Sequence, residues 1–343
     1  MSEMTTHERP GVYSAYQASA LTAAVSGGGA VCVVADAGSY KEAVPYIWTS
    51  YSRAVSAVGK CALSELTRLA LKNGAGVVYG VPAGETYTAA FAAAAKLDEV
   101  TVVVCDSTEL TVQQALRDMV KECSAAHRER VAVVAGAANE SVEQLIARAA
   151  GLNHERVVLV APGVSGGDGT ACAAAVAGAI AGNTDPALPL SGATLSGLNG
   201  LSEVYEEGDI DLLVRGGVTP LEMLSGSGSV VRAVTTRTTT GGAADATWRE
   251  LTTILVVDEV IPAIRAALRA KFQRVKNTEQ TRGAIRSQVV LELEKRIGRE
   301  IIDSYEDVTV TALESDPTVC LVEFAFAVTH GLNQIWLSAH ITV

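Results

Sequence analysis

The sequence predicts an α/β fold: a parallel-sheet α/β middle region followed by an α+β C-terminal domain, with extended N- and C-terminal strand arms. Three observations lead there. Short valine-rich runs recur from Gly76 onward every ~25 to 30 residues, the length of a strand plus a crossover helix. Two long amphipathic helical patterns fill much of the last third. Period-two β sequence then closes the chain.

The first strand is expected at Ala30 to Ala35, followed by a helix near Leu63 to Lys72. The runs Gly76 to Val81, Val100 to Cys105, Arg130 to Ala135 and Arg156 to Ala161 are continuously apolar, which is how strands covered on both faces read. Between them Ser107 and Thr108 can cap a helix through Ala126, and Asn139 one through about Ala150. After Gly182 the composition turns to Gly, Pro, Ser and Asn, as in loops. Short strands are expected at Asp211 to Arg215 and Val230 to Thr235.

A long helix is predicted over about Trp248 to Val275, with Ile261, Ile264, Leu268, Phe272 and Val275 on one stripe and Pro262 as a kink or a new first turn. A second covers about Gly283 to Ile302, its stripe made by Ile285, Val289, Leu293 and Ile297. Strands are predicted at Asp307 to Leu313, Thr318 to Thr329 and Gln334 to Val343. In the last of these Ile335, Leu337, Ala339, Ile341 and Val343 alternate with Trp336, Ser338, His340 and Thr342. Gly11 to Gln17 reads as extended, ahead of Gly27, Gly28 and Gly29. A strand at a chain end must pair its backbone with something, so both ends read as arms.

The composition is globular, 48% hydrophobic and 19% charged, and its Ala and Gly content favours close element packing over aromatic-lined pockets. A formal charge of -11 argues against a surface that docks wholesale on nucleic acid or anionic lipid. Cys32, Cys61, Cys105, Cys123, Cys172 and Cys320 form no close pair and read as small reduced core residues; no zinc site is expected. The first residues lack a secretory signal pattern, and no apolar run reaches the ~20 residues of a membrane span. Folding in a reducing cytoplasm is the expectation.

The strongest pointer to catalysis is Gly163-Val164-Ser165-Gly166-Gly167, a G-x-S-x-G match between a predicted strand and helix. Its flanking Pro162, Gly166, Gly167 and Gly169 favour a connector over a strained elbow, and the candidate bases His330 and His340 are accounted for by the β pattern. Gly59-Lys60 lacks the rest of a P-loop. Asp106 ends a predicted strand, where an α/β enzyme would hold a metal or ribose, but there an Asp more often starts a turn. His7, His127 and His154 read as surface residues, and Trp48, Trp248 and Trp336 as packing anchors. No catalytic residue, cofactor or metal is expected. An α/β serine hydrolase or nucleotide-binding enzyme with oligomerisation arms is the competing reading.

PGVYS at Pro10 to Ser14 resembles the N-terminal signature of contractile tail sheath proteins. AAAVAGAIAGN at Ala173 to Asn183 looks like the helix before a loop in their middle region, and VRAVTTRT at Val231 to Thr238 with WRELTTILVVDEVIPAIRAAL follows that family's C-terminal order. The resemblance implies stacked six-subunit rings around a tail tube, contracting to drive the tube through a cell envelope. It implies an N-terminal arm and linker over 1–28, an outer α/β region over 29–240, a C-terminal core domain over 241–329 and a strand arm over 330–343. Val12, Tyr13, Tyr16, Ile335, Trp336, Leu337, Ile341 and Val343 would then be exchanged between subunits. Further copies of the chain, the tube protein, baseplate and tail terminator proteins are the implied partners, without nucleic acid or membrane. The implied location is a virion tail or a secreted phage-tail-like particle, assembled in a bacterial cytoplasm.

Between Pro262 and Val290 stand Arg265, Arg269, Lys271, Arg274, Lys276, Arg282 and Arg286 against the single acid Glu279, a net +6 in a chain of -11. Arg265, Arg269 and Lys276 share one flank if the helix continues that far. The segment is expected to face an acidic tube surface, where complementary charge fixes register yet stays separable. A solvated face, or contact with acidic neighbouring sheath subunits, is the other reading.

Overall fold

The computed structural model describes residues 28–333. The eight strand-exchange candidates, Val12, Tyr13, Tyr16, Ile335, Trp336, Leu337, Ile341 and Val343, lie outside the described residues.

The first and larger layer system contains, in chain order, β1 (Ala30–Ala35), β2 (Tyr46–Trp48), α1 (Tyr51–Val58), α2 (Ala62–Lys72), β3 (Val77–Pro82), α3 (Tyr87–Ala94), β4 (Val100–Cys105) and α4 (Leu110–Ala125). It continues with β5 (Val131–Ala135), α5 (Val142–Leu152), β6 (Val157–Ala161), α6 (Thr170–Gly182), β7 (Thr194–Leu195), α7 (Glu207–Arg215), β8 (Val218–Leu224) and β9 (Ser227–Val230). Their strands form one sheet in the order β2-β3-β1-β4-β5-β6-β8-β9-β7. β3, β1, β4, β5, β6 and β8 run parallel, and antiparallel β2 and the β9–β7 pair finish the two sides.

The continuous valine runs have the expected cause. Val31 and Val33 face a core formed with α2 and α6, while Cys32 and Val34 face a second core formed with α3, α4, α5 and α7. Small residues let the helices approach closely: a Cβ on Gly178 of α6 would lie 2.4 Å from the Ala70 carbonyl oxygen of α2. The Ala- and Gly-rich composition is spent on this contact.

Two expectations after Gly182 fail. Asp211 to Arg215 is the end of helix α7, whose first turn carries Glu207 and Asp209 and whose last carries Arg215, matching the helix dipole. Its buried Leu213 and Val214 contact the sheet as a helix does, without strand alternation. The missed strand is β8. Its Pro220, which reads as a strand breaker, faces Ala161 at the last pairing with β6, where the ladder ends and the missing N–H costs nothing. Of Val230 to Thr235 only Val230 belongs to a strand; the rest is a buried extended crossing in which Thr236 N–H donates to the Val157 carbonyl and Thr235 N–H to that of Arg249.

The second part begins with a short hairpin, β10 (Thr239–Thr240) and β11 (Ala243–Ala244), and continues with α8 (Leu251–Lys271), α9 (Glu279–Ile297), β12 (Ile302–Leu313) and β13 (Asp316–Val328). α8 runs unbroken through Pro262, which is buried between Ile261 and Ile264. The proline deletes only one helical bond, and packing on both sides holds the axis. Leu251 and Ile254 of α8 enter the sheet core, whereas Val256, Val260, Ile264 and Leu268 join α9 and the β12–β13 hairpin in a third core. One helix is thus shared by both parts. It ends at Lys271, so Val275 is exposed and Lys276 does not lie on its flank, contrary to the expectation.

Candidate assembly surfaces

The hairpin is the most unusual surface. β12 and β13 pair only with each other among the described residues, so both outer backbone edges are without a strand partner there. On one face Val308, Val322, Phe324, Phe326 and Val328 pack on α8 and α9. The opposite face, with Ser304, Glu306, Thr309, Thr311, Glu323, Ala325 and Ala327, is exposed. The edges differ. β12 carries extra residues between Ile302 and Ser304 and between Glu306 and Thr309, where Asp307 has φ 48°, while β13 is regular from Cys320 to Val328. Bulges twist an edge away from further pairing, so β13 offers the longer regular template.

Part of the basic segment braces this hairpin. Asn277 donates from its side-chain amide to the carbonyls of Pro317 (2.8 Å) and Val319 (3.3 Å), and Arg282 holds the Asn277 oxygen at 3.0 Å. Arg286 Nε donates to the Val308 carbonyl at 2.7 Å, beside the bulge. Lys271 Nζ reaches Gln288 Oε1 on α9 at 2.5 Å. Arg265 departs furthest from expectation. Its side chain is 7% exposed and faces Glu129 at 3.8 Å, so it is buried inside the chain and cannot line an outer surface. Arg269, Arg274 and Lys276 remain exposed, with no side-chain hydrogen bond or ion pair among the described residues.

Beneath this surface a set of buried charges joins α8 to the parallel sheet. Arg156, at the start of β6, donates to both Asp258 oxygens at 2.7 and 2.8 Å. Neither Glu129 oxygen has a hydrogen-bond partner among the described residues. Burial, reinforced by the negative charge of Asp258 and only partly offset by Arg265, pushes its carboxyl up to about 9. Glu129 is therefore protonated at neutral pH. Its 3.8 Å approach to Arg265 is a loose contact and not a closed ion pair. These contacts span great sequence separations, and no local pattern announces them.

The residues weighed for chemistry are occupied by structure. Ser165 lies in a loop between Ala161 and Thr170, where its hydroxyl donates to the Leu201 carbonyl at 2.8 Å; no tight strand-to-helix elbow forms. Asp168, two residues before the start of α6, accepts from the Thr170 N–H and hydroxyl. Asp106 accepts the Asp36 N–H at 2.7 Å and the Tyr87 hydroxyl at 2.6 Å, tying β4 to β1, and burial raises its carboxyl above the usual range. His154 is not a surface residue: it is half-buried, accepts the Arg156 N–H at 3.1 Å, and burial lowers its pKa. His127 is likewise half-buried. Cys32, Cys105, Cys123 and Cys172 are buried, Cys61 and Cys320 half-buried, and no potential metal-binding group of His, Cys, Asp or Glu occurs among the described residues. Trp48 is buried and stacks on Tyr46, and Trp248 packs against the sheet core. No helix among the described residues is long and apolar enough to cross a membrane.

Comparison with known proteins agrees with this architecture. The anti-feeding prophage helical sheath, in its contracted state, superposes with a TM-score of 0.73 over 98% of this chain and 99% of its own, at 16% identity. The sheath tail protein of Desulfitobacterium hafniense gives 0.67 over 93% and 100% at 13% identity. The contracted sheath of an extracellular contractile injection system (PVC) gives 0.67 over 99% of each chain at 16% identity. No curated protein sequence matches the chain. The phage tail sheath protein central domain matches residues 80–236, and the phage tail sheath C-terminal domain matches residues 243–342. The two matches meet at the short β10–β11 hairpin, and between them they take in most of the α/β sheet and all of the α8, α9 and hairpin unit: the chain belongs to the phage tail sheath family and is a structural sheath subunit.

Proposed function

We propose that this subunit polymerises as stacked six-membered rings around a tail tube, and that the lattice contracts to drive the tube through a target cell envelope. The observation that carries the reading is the β12–β13 hairpin, braced on one face by α8 and α9 and open at its edges among the described residues. Strands from neighbouring copies would complete it, with β13 as the better template. Residues 1–28 and 330–343 are the donor arms, through Val12, Tyr13 and Tyr16 at one end and Ile335, Trp336, Leu337, Ile341 and Val343 at the other. Residues 29–240 form the outer region and 241–329 the inner core domain. Each added backbone bond contributes about 0.5 to 1.5 kcal/mol net, so durability comes from several bonds per arm repeated over the lattice.

The subunit works by rearranging contacts, without catalysis. The contracted states of the anti-feeding prophage and PVC sheaths support the contractile reading. Arg269, Arg274 and Lys276 are the charges left free to face the tube protein; the baseplate and a tail terminator bound the polymer. The particle is a virion tail or a secreted phage-tail-like particle, assembled in the bacterial cytoplasm. The test is expression alone, followed by sedimentation and negative-stain microscopy. Tubes are expected from the full chain. Deleting 1–20 or 330–343 should abolish them while circular dichroism shows the α/β part still folded. A full chain that stays monomeric at high concentration sinks the reading.

A further inference from the structure

The first and the last of the described residues meet the same short stretch of the α/β part, residues 181–191. At the N-terminal end Gly29 donates its N–H to the Ala181 carbonyl at 2.5 Å and accepts the Gly76 N–H at 3.1 Å. At the C-terminal end Thr329 closes the hairpin unit, with its N–H on the Ile301 carbonyl at 3.3 Å and its hydroxyl on Asp303 at 2.7 Å. The chain then crosses to the loop after α6. A Cβ on Gly331 would lie 2.7 to 3.0 Å from three ring carbons of Pro189, and Asn333 Oδ1 accepts the Ser191 hydroxyl over a long 3.5 Å. The loop between these contacts is stiff. Asn183 donates from its side-chain amide to the Leu188 carbonyl at 2.9 Å and accepts the Asp185 N–H at 3.2 Å. Asp185 accepts the Ala187 N–H on its side chain at 3.0 Å and the Leu188 N–H on its carbonyl at 3.1 Å. Ala187 is buried in the third core with Val256 and Val260, and just beyond the loop the Gly192 N–H donates to the Val230 carbonyl at 2.7 Å.

We propose that residues 181–191 act as a bracket that sets where both arms leave the subunit, the N-terminal arm at Gly29 and the C-terminal arm at Pro189 and Ser191. The proposal rests on the sheath reading, since it gives this stretch the task of placing the donated strands. By sequence the C-terminal arm continues the hairpin unit, yet its exit is held by a loop of the α/β part. A donated strand must reach its template in one register, because a slip of one residue turns every side chain to the wrong face. The point and direction of exit therefore matter as much as the strand itself. Pro189 is a positioning residue in this scheme: its ring fits only a glycine at 331, and a side chain there would push the start of the arm away from the loop. The two exits sit on one stiff stretch, so they keep a fixed separation that the lattice can use.

The test uses the full chain and compares wild type, Gly331→Ala, Pro189→Gly, the Pro189→Gly with Gly331→Ala double variant, and Asn183→Ala. Critical concentration for polymer is read by sedimentation, and monomer folding by thermal melting. Gly331→Ala sets a methyl group against the Pro189 ring and should raise the critical concentration roughly tenfold with melting unchanged. In the Pro189→Gly background the methyl meets no ring, so the same change should have little effect and the two substitutions are non-additive. Asn183→Ala loosens the loop without touching either arm and should raise the critical concentration as well; it carries the test if Gly331→Ala lowers the melting temperature, and wild-type polymer from it then overturns the bracket. Wild-type polymer from a normally folded Gly331→Ala chain overturns the proposal and leaves the sheath reading standing. A penalty of equal size in both Pro189 backgrounds overturns Pro189 as the positioning residue. A wild-type chain that never polymerises overturns both the bracket and the sheath reading.

Discussion

Arg156 on β6 and Asp258 on α8 meet through two hydrogen bonds of 2.7 and 2.8 Å, with the arginine side chain 2% exposed. This pair ties the helix that packs under the hairpin to the parallel sheet. Removing Asp258 strands the charge of a buried Arg156. Asp258→Ala should therefore cost about 3 to 5 kcal/mol of unfolding free energy, whereas replacing both partners with apolar residues of similar volume costs far less. Urea denaturation of the single and double variants checks this; an Asp258→Ala loss below about 1 kcal/mol would show that the clamp is not structural.

Glu129, facing Arg265 in the same interior, gives the fold a pH dependence of definite sign. Its carboxyl rises from 4.5 to about 9 on folding, so between those values the native chain holds a proton that the unfolded chain has lost. The associated stability is complete below about pH 4.5 and is lost as pH rises toward 9, at up to about 1.4 kcal/mol per unit. Glu129→Gln fixes the neutral form. Relative to wild type it should gain stability steadily from pH 5 to 9, with Arg156, Asp258 and Arg265 unchanged. Parallel denaturation curves across that range decide the matter, and a pH-independent difference between the two proteins would refute it.

The limits of sequence reading follow from the same residues. The strands β1, β4, β5 and β6 are legible because each is covered on both faces, and double burial leaves an unbroken apolar run. The α7 segment misleads because DIDLLVR mimics alternation, although its acidic start and terminal Arg215 are an available helix signal. Pro220 hides β8 because the exception it exploits, the last rung of a ladder, depends on where Ala161 ends its own strand. Arg265 reads as a surface cation on an amphipathic flank. Its burial against Glu129 is a property of how two distant segments pack, which helical periodicity does not encode. Asp307 to Leu313 and Thr318 to Thr329 are legible as strands, but their pairing into a hairpin with one bulged edge is visible only in the register.

Close packing of α6 on α2 predicts an unusual intolerance at Gly178. A methyl group there would meet the Ala70 carbonyl oxygen at 2.4 Å, and backbone cannot swing aside as a flexible side chain does. Gly178→Ala, normally favourable in a helix, should instead destabilise by about 1 to 3 kcal/mol through overpacking. Gly283 in α9, whose added methyl would meet nothing within 4 Å, is the matched control and should be stabilised by Ala by roughly 0.5 to 1 kcal/mol. Thermal melting of the two variants separates packing from propensity; equal shifts in the same direction would dismiss the close contact.

Arg269, Arg274 and Lys276 test the proposed docking of the subunit on a tail tube. Arg265 is buried, and Lys271, Arg282 and Arg286 hold partners on α9 and around the hairpin, so the separable charge of the segment rests on these three exposed residues. Long-range complementarity between such charges and an acidic surface governs encounter and register, and weakens with salt. Reversing all three to Glu should cut co-assembly with purified tube protein at least tenfold at low ionic strength and flatten its salt dependence. Self-polymerisation of the variant without tube should be unchanged, since the hairpin bracing by Arg282 and Arg286 is untouched. If instead tube-free polymerisation fails while the residual tube affinity is normal, the segment contacts neighbouring sheath subunits and the tube lies against another face.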